Sequence, residues 1–147
     1  MRIEELSVGD WVCAKLAKWE SSDADMTPPL QVKRINGIER HNLYVELFNP
    51  TNNTIEHSAF VEDLIPIPIT PEILEKNGLM RVSEEKGFEA YCCNDFLIRR
   101  SKFSCTDWRQ VDVHYNLYVA HLSGSIQYVH QLQHLLTINE CDKKIEL

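Results

Sequence analysis

Glycine is scarce in this chain, and its scarcity argues against several nucleotide-binding classes. The five glycines stand at positions 9, 37, 78, 87 and 124 of 147 residues, too far apart to build a loop that cradles phosphate. No Walker loop and no dinucleotide-binding fingerprint occurs, and no G-x-S-x-G elbow presents a nucleophilic serine. We therefore expect neither a P-loop nucleotidase nor a Rossmann enzyme nor an α/β-hydrolase.

Signals for membrane insertion or export are also missing. No run approaches the roughly 20 apolar residues that span a bilayer, and Met1–Glu5 has neither the basic start nor the apolar core of a signal peptide. The five cysteines, an odd number without C-x-x-C spacing, favour reduced thiols over a disulfide framework. The sequence predicts a cytoplasmic protein, with one buried and one exposed thiol in the strand neighbours Cys92 and Cys93.

The charge is acidic and unevenly distributed. The formal net charge is −7, with six Lys or Arg against eleven Asp or Glu over residues 1–68 and nine against eleven over residues 69–147. A uniformly basic nucleic-acid-binding surface is therefore excluded. A local basic patch is not, because phosphate contact needs only a few clustered cations.

A proline-rich segment, Ile65–Gly78, marks the boundary between two halves of the chain. Proline lacks the amide that a sheet ladder requires, so the first prolines of the segment should end a strand. Thr70 then suits a helix N-cap, Pro71 the first helical position and Gly78 the left-handed stop. The predicted domains are residues 1–68, a short linker helix over residues 69–78, and residues 79–147.

The first half has the pattern of several short strands. Leu43–Phe48 alternates in the two-residue period of a strand, and the turn-forming residues Asn49–Asn53 separate it from the next pair of strands. Curling of such a sheet buries one face and removes its edges. We predict an SH3-like small β-barrel with strands in Gly9–Leu16, Leu30–Ile38 and Leu43–Phe48 and a pair within Thr54–Ile67.

The second half combines strand patterns with one helix. The helix is predicted from about Ser125 to Thr137, lying across a small antiparallel sheet. The fold class is therefore α+β, mainly β. The predicted strands are Phe88–Cys92, Phe96–Arg100, Val111–His114 and Leu117–Leu122, with a last edge strand at Lys144–Leu147.

Three segments resemble those of a known protein family. MRIEELSVGDWV, PIPITPEILEKNG and YVHQLQHLL, at the start, middle and end of the chain, are similar to recurring segments in small uncharacterised proteins of gut anaerobes and their mobile elements. The resemblance implies a shared two-part layout and an intracellular bacterial setting. It implies no activity, catalytic residue or cofactor.

A cationic and aromatic segment, Phe96–Arg109, is the first candidate site. It carries four cations, one acid and three aromatic residues. Cations interleaved with aromatic rings are used to bind single-stranded nucleic acid, where the charges contact phosphates and the rings stack on bases. An alternating strand that buries its aromatic residues and exposes its cations gives the same pattern. The candidate cations for nucleic-acid or anion binding are Arg99, Arg100, Lys102 and Arg109.

A pair of histidines, His130 and His134, has the spacing of a metal site on a helix. A helical wheel sets both opposite Leu132 and its apolar neighbours, facing solvent or another molecule. Zincin proteases have a glutamate directly after the first histidine, where this chain has Gln131, so we expect no protease. A solvated helix face, a protein contact and a simple metal site remain as alternatives, the last completed by His114, His121 or Cys105.

Two functional classes lead, and neither includes catalysis or a cofactor. The first is a non-catalytic interaction or accessory protein, encoded by a phage or mobile element, whose second half offers a helix face and a sheet edge to a protein partner or to another copy. The alternative is a nucleic-acid-associated accessory protein that uses the cationic segment. A metal-binding protein stands third, and no membrane association is expected. Contact anchors in the first class would be Trp11, Trp19 and Trp108.

Overall fold

The strands and helices form two compact units. A computed structural model describes residues 6–16, 25–37, 43–83, 87–93, 96–101, 108–111, 126–138 and 144–147. The chain divides into Met1–Ile67 and Pro68–Leu147. The α+β, mainly β, fold class is confirmed. The strands are β1 (Trp11–Ala14), β2 (Leu30–Gly37), β3 (Leu43–Asn49), β4 (Thr54–Phe60), β5 (Leu64–Pro66), β6 (Met80–Ser83), β7 (Phe88–Cys93), β8 (Phe96–Ser101) and β9 (Arg109–Val111); the helices are α1 (Pro71–Lys76) and α2 (Val129–Ile138).

The first unit is built on an antiparallel sheet in the order β4-β3-β2-β1-β5. In β3, Val45 and Leu47 are fully buried while Tyr44 and Phe48 stay partly exposed, as the two-residue alternation predicts. Each fully buried aliphatic side chain contributes about 1.5–3 kcal/mol. The core of this unit is formed by Leu6, Val12, Ala14, Leu30, Val32, Val45, Leu47, Ala59, Val61 and Leu64.

The first sheet is open among the described residues, because no pairing there joins β4 to β5. β5 is only three residues long and ends at Pro66, which has no amide to extend the ladder. Bulges at Lys33 in β2 and Glu56 in β4 interrupt the register and bend the sheet locally. The closed barrel predicted from the sequence is not shown.

The helix predicted after the prolines is confirmed. The Thr70 hydroxyl caps the helix by accepting a hydrogen bond from the Ile73 amide at 3.4 Å, and Pro71 is the first helical residue. Gly78 follows the helix in a left-handed conformation, with φ 71°. Leu74 is fully buried, and the amide of Ile69 donates to the carbonyl of Gln127 at 2.9 Å. The sequence predicts residues 69–78 as a separate linker, whereas the structure includes them in the second compact unit.

The second unit contains an antiparallel sheet in the order β6-β7-β8-β9. β7 and β8 occupy the predicted positions. β6 was not predicted because Met80–Ser83 is only four residues long, too short for its alternation to identify a strand. β9 overlaps the start of the predicted Val111–His114 strand, whereas Leu117–Leu122 lies outside the described residues.

Helix α2 begins at Val129, four residues later than expected. Ile126 forms an antiparallel bridge with Trp108, and Tyr128 forms one with Pro68, so this part of the chain is extended. The amides of Gln127 and Tyr128 donate to the side-chain oxygen of Gln131 at 2.8 and 3.2 Å. The bond from Tyr128, the residue directly before the helix, is the one that the third helical residue makes in a capping box. It fixes the start of the helix at Val129.

The strand predicted at Lys144–Leu147 is wrong, because those residues form no strand. Ile145 is nevertheless buried. Its neighbour Glu146 is held by the side chain of Asn77, whose Nδ2 donates to the Glu146 carbonyl at 2.9 Å and whose Oδ1 accepts from the Glu146 amide at 2.7 Å. One amide side chain thus satisfies both backbone groups that a neighbouring strand would pair.

Neither described helix has the length and apolar character needed to cross a membrane.

Candidate functional site

Arg100, one of the four predicted phosphate-contacting cations, is held by an internal carboxylate. It lies directly opposite Glu89 across the β7–β8 ladder, and its Nε donates to Glu89 Oε2 at 2.8 Å. The side chain of Glu89 is only 7% exposed. A buried carboxylate requires a paired cation, so Arg100 has a structural task.

Two more groups surround the same carboxylate. Arg81 approaches the other oxygen of Glu89 at 3.7 Å. The hydroxyl of Tyr91 lies 3.1 Å from Glu75 Oε1 and 3.4 Å from Glu89 Oε1, and its single proton can be donated to only one of them at a time. Burial, the hydrogen bond to Glu75 and the charge of Glu89 raise the pKa of Tyr91 to about 12.

Trp108 completes this cluster and is not a surface anchor. Its side chain is fully buried, its ring meets Tyr91 edge-on at 5.6 Å between centroids, and the Arg100 guanidinium lies 4.6 Å from its centroid. Trp11 is buried as well. The expectation that these two tryptophans anchor a partner is wrong, since both are used in packing; Trp19 lies outside the described residues.

Arg99 has a different position from its neighbour. Its guanidinium lies 4.4 Å from the centroid of the Phe88 ring, which is 39% exposed. In the β8–β9 ladder Arg99 is paired with Arg109, so two cationic residues occupy directly opposed positions. Lys102 lies outside the described residues. The predicted four-cation patch is therefore divided: Arg100 binds Glu89, while Arg99 and Arg109 are neighbours on adjacent strands.

The two helix histidines do not both face outward. His130 is buried, against the wheel-based expectation, and its ring is stacked on Tyr128 at 5.9 Å between centroids and 8° between planes. The buried arc of α2 runs through Val129, His130, Leu132 and Leu136, while Leu135 is only partly buried. The wheel placed Leu132 and Leu136 correctly on the buried side, but it placed His130 on the exposed side, and the buried arc extends to that residue.

His134 remains close to His130, with the ring centroids 6.3 Å apart and the planes at 79°. An edge-to-face arrangement of this kind is a packing contact. Among the described residues no group of three or more His, Cys, Asp or Glu has the geometry of a metal site. The proposed additional ligands His114, His121 and Cys105 lie outside the described residues.

An exposed apolar edge was missed in the sequence. Among the described residues, β6 is one of the two outer strands of the second sheet, and its Met80 and Val82 side chains are 67% and 54% exposed. A bulge between Arg81 and Ser83 interrupts the β6–β7 register. The signal was present in the alternation Met80-Arg81-Val82, but three residues are too few to identify a strand from its pattern.

The cysteines follow the alternation predicted for a strand. In β7, Cys93 is buried and Cys92 is partly exposed, and Cys13 in β1 is buried. Burial raises the pKa of the Cys13 thiol, which lowers its thiolate fraction and its reactivity. Cys13 therefore lacks the activated thiolate of a nucleophile.

Comparison of the chain with protein-family models, with curated proteins and with solved structures gave no match. Function is therefore inferred from the geometry of the chain itself.

Proposed function

We propose that this chain is a non-catalytic interaction protein that binds a protein partner by strand addition at β6. The observation that supports the proposal is the outer position of β6 together with the exposure of Met80 and Val82. An outer strand presents backbone donors and acceptors to an extended segment of another chain, and exposed apolar side chains give that segment something to bury.

The charge of Arg81 at this edge favours a partner segment that has acidic as well as apolar residues. The Arg81 side chain lies in β6 and is 42% exposed, so an acidic residue of a partner can approach it. An extended segment that alternates apolar and acidic residues would match these features, because electrostatic complementarity favours the correct partner and speeds association.

The ion pairs of the second unit also support a binding role over catalysis. Glu89, Arg100 and Tyr91 contact one another in a buried cluster, and Tyr91 has a pKa too high for acid–base work near neutrality. These groups stabilise the sheet behind the proposed binding edge. A rigid edge loses little conformational freedom when it binds.

The test is recovery of the partner from the source cells with matched variants. Tagged wild type, the double variant Met80→Glu/Val82→Glu and the control Ile138→Glu are cross-linked and purified, and bound proteins are identified by mass spectrometry. Ile138 is 77% exposed at the end of α2, so it matches the tested residues in exposure. We expect the same proteins with wild type and Ile138→Glu and their loss with the double variant; equal recovery from all three contradicts the proposal.

Nucleic-acid association is the second candidate, supported by the opposed positions of Arg99 and Arg109 in the ladder. Two cationic residues at opposed positions of a ladder are placed so that one phosphate could contact both. Lys102 is proposed to contribute as well, whereas Arg100 is assigned to Glu89. At low salt, Arg99→Glu should bind single-stranded oligonucleotides more weakly than wild type, whereas the exposed control Lys76→Glu should bind them equally well. Binding that does not depend on salt refutes this candidate.

The proposal also covers the cellular setting of the protein, its family, self-association and metal binding. We propose a cytoplasmic bacterial protein of the small gut-anaerobe family, encoded by a phage or mobile element, with a first unit related to SH3-like barrels. Self-association through the same edge is tested by sizing the purified chain. Metal binding through His130 and His134 is tested by metal analysis of untagged protein, and bound zinc near one equivalent would support it.

A further inference from the structure

The first unit presents an outer face that carries aromatic rings. Tyr44 lies opposite Phe60 and Phe48 lies opposite Ile55 in the β3–β4 ladder. Opposed residues share a face of a sheet. The intervening residues Val45 and Leu47 are buried on the other side, so these rings belong to the outward side. Phe60 is 43% exposed, and Ile55 is 51% exposed.

Two cations lie on the same face. The bulge residue Lys33 has its Nζ 5.5 Å from the centroid of the Phe48 ring. Arg34 has a 68% exposed side chain and lies 3.9 Å from Glu46, its opposite in the β2–β3 ladder. A separation of 3.9 Å between an exposed guanidinium and a partly buried carboxylate is a weak ion pair. Both cations therefore remain available to a ligand.

The spacing of the rings gives two places where a planar group can stack. Tyr44 and Phe48 are four residues apart on one strand, which is about 13 Å at the usual rise of a strand. The Tyr44–Phe60 pair forms one place, and Phe48 beside Lys33 forms the other. We call this surface, defined by Lys33, Arg34, Tyr44, Phe48 and Phe60, the ring platform.

We propose that the ring platform binds single-stranded nucleic acid. Its rings would stack on bases, while Lys33 and Arg34 would contact phosphates, which is the combination that sequence-tolerant single-strand binding uses. A duplex fits poorly, because its bases are already stacked on one another and a broad sheet face does not enter the major groove. This site is separate from the β6 edge and goes beyond the proposed function.

The acidic surroundings determine how the site would behave. Residues 1–68 carry an excess of five negative charges, and Glu46 lies within the platform. Stacking, not charge, would therefore supply most of the affinity. With two phosphate contacts on a single strand, the logarithm of the binding constant should fall against the logarithm of salt with a slope of about −1.4.

The experiment is fluorescence anisotropy with labelled oligothymidine and oligouridine of about 12 nucleotides and a duplex of equal length. Tyr44→Ala and Phe60→Ala should each weaken single-strand binding roughly tenfold, within the range for losing one stacked base. Lys33→Gln should reduce the salt slope by about 0.7. Ser58→Ala, exposed on the same strand without a ring, should change nothing, and circular dichroism verifies the fold of every variant.

Several results would overturn the proposal. Absence of binding at about 50 mM salt would make the platform a protein-docking face. Equal affinity for the duplex, or full affinity in Phe60→Ala, would exclude stacking on this face. Loss of affinity in Arg99→Gln without loss in Phe60→Ala would assign the binding to the arginine pair of the second unit. The salt slope of the wild-type protein needs no variant, so a slope much steeper than about −1.4 also contradicts the proposal.

Discussion

Replacement of Arg100 by methionine tests whether this arginine is structural. Methionine keeps much of the aliphatic stem and removes the charge. Glu89 would then keep only the 3.7 Å contact with Arg81 and the 3.4 Å contact with the Tyr91 hydroxyl, which do not replace the 2.8 Å bond from Arg100. An uncompensated carboxylate in the buried sheet would be the main source of instability.

The magnitude depends on the burial of the pair. Breaking a buried ion pair by removing one partner costs about 3–5 kcal/mol. The Arg100 side chain is 25% exposed, so solvent reduces the cost and we take about 2–3 kcal/mol. Loss of the contact with the Trp108 ring adds about 0.5–1 kcal/mol. The sum of about 3 kcal/mol corresponds to a drop of roughly 12–24 °C in the Tm of the second unit.

Calorimetric unfolding of Arg100→Met and a matched control measures this effect. Arg34→Met removes the same type of side chain from a 3.9 Å contact with Glu46 in which the arginine is 68% exposed, and it should lower the free energy of unfolding by less than about 0.5 kcal/mol. The double variant Arg100→Met/Glu89→Leu removes the unpaired carboxylate and should recover at least half of the loss. Equal, small effects in Arg100→Met and Arg34→Met would refute the reasoning.

Three further predictions concern single side chains. The pKa of Tyr91 is raised in the folded state to about 12 from its ordinary value near 10. The stability that Tyr91 contributes is therefore complete below about pH 10 and is lost as pH rises from about 10 to 12. In urea unfolding, the free energy of unfolding of Tyr91→Phe should fall less steeply with alkaline pH than that of wild type, and an equal fall contradicts the assignment. Gln131→Ala removes the cap and should lower the free energy of unfolding by about 1 kcal/mol, as thermal unfolding would measure. Gln131→Glu keeps the acceptor oxygen and should lower it less; equal reductions in the two variants would exclude capping. In the native protein Cys92 should be alkylated before Cys13 and Cys93, as peptide mapping would show, and simultaneous labelling would contradict their burial.

Helix α1 and the first sheet were predictable because their signals are local. Thr70, Pro71 and Gly78 act within a few residues of where they stand, and the alternation in β3 specifies its own buried face. Barrel closure is not local. It depends on whether two strands distant in sequence pair with each other, and the short β5 ending in proline pairs only with β1 among the described residues.

The candidate site was harder to predict than the fold. Arg99 and Arg100 look equivalent in the sequence, yet adjacent strand residues point to opposite faces, and only the register shows that Arg100 lies opposite the buried Glu89 while Arg99 lies opposite Arg109. The wheel placed His130 on the exposed side, whereas its ring is buried and stacks on the partly buried Tyr128. Both errors arise from tertiary contacts that a helical wheel or a charge count does not contain.

Hydrogen exchange of the β6 amides in the recovered complex tests the proposed mode of binding most directly. An outer strand exchanges its unpaired amides rapidly, and a partner strand that pairs with β6 would protect them. We predict slowed exchange in peptides spanning Met80–Ser83 when the free protein is compared with the complex. Unchanged exchange at Met80–Ser83 with new protection elsewhere would contradict strand addition and assign the interface to another surface.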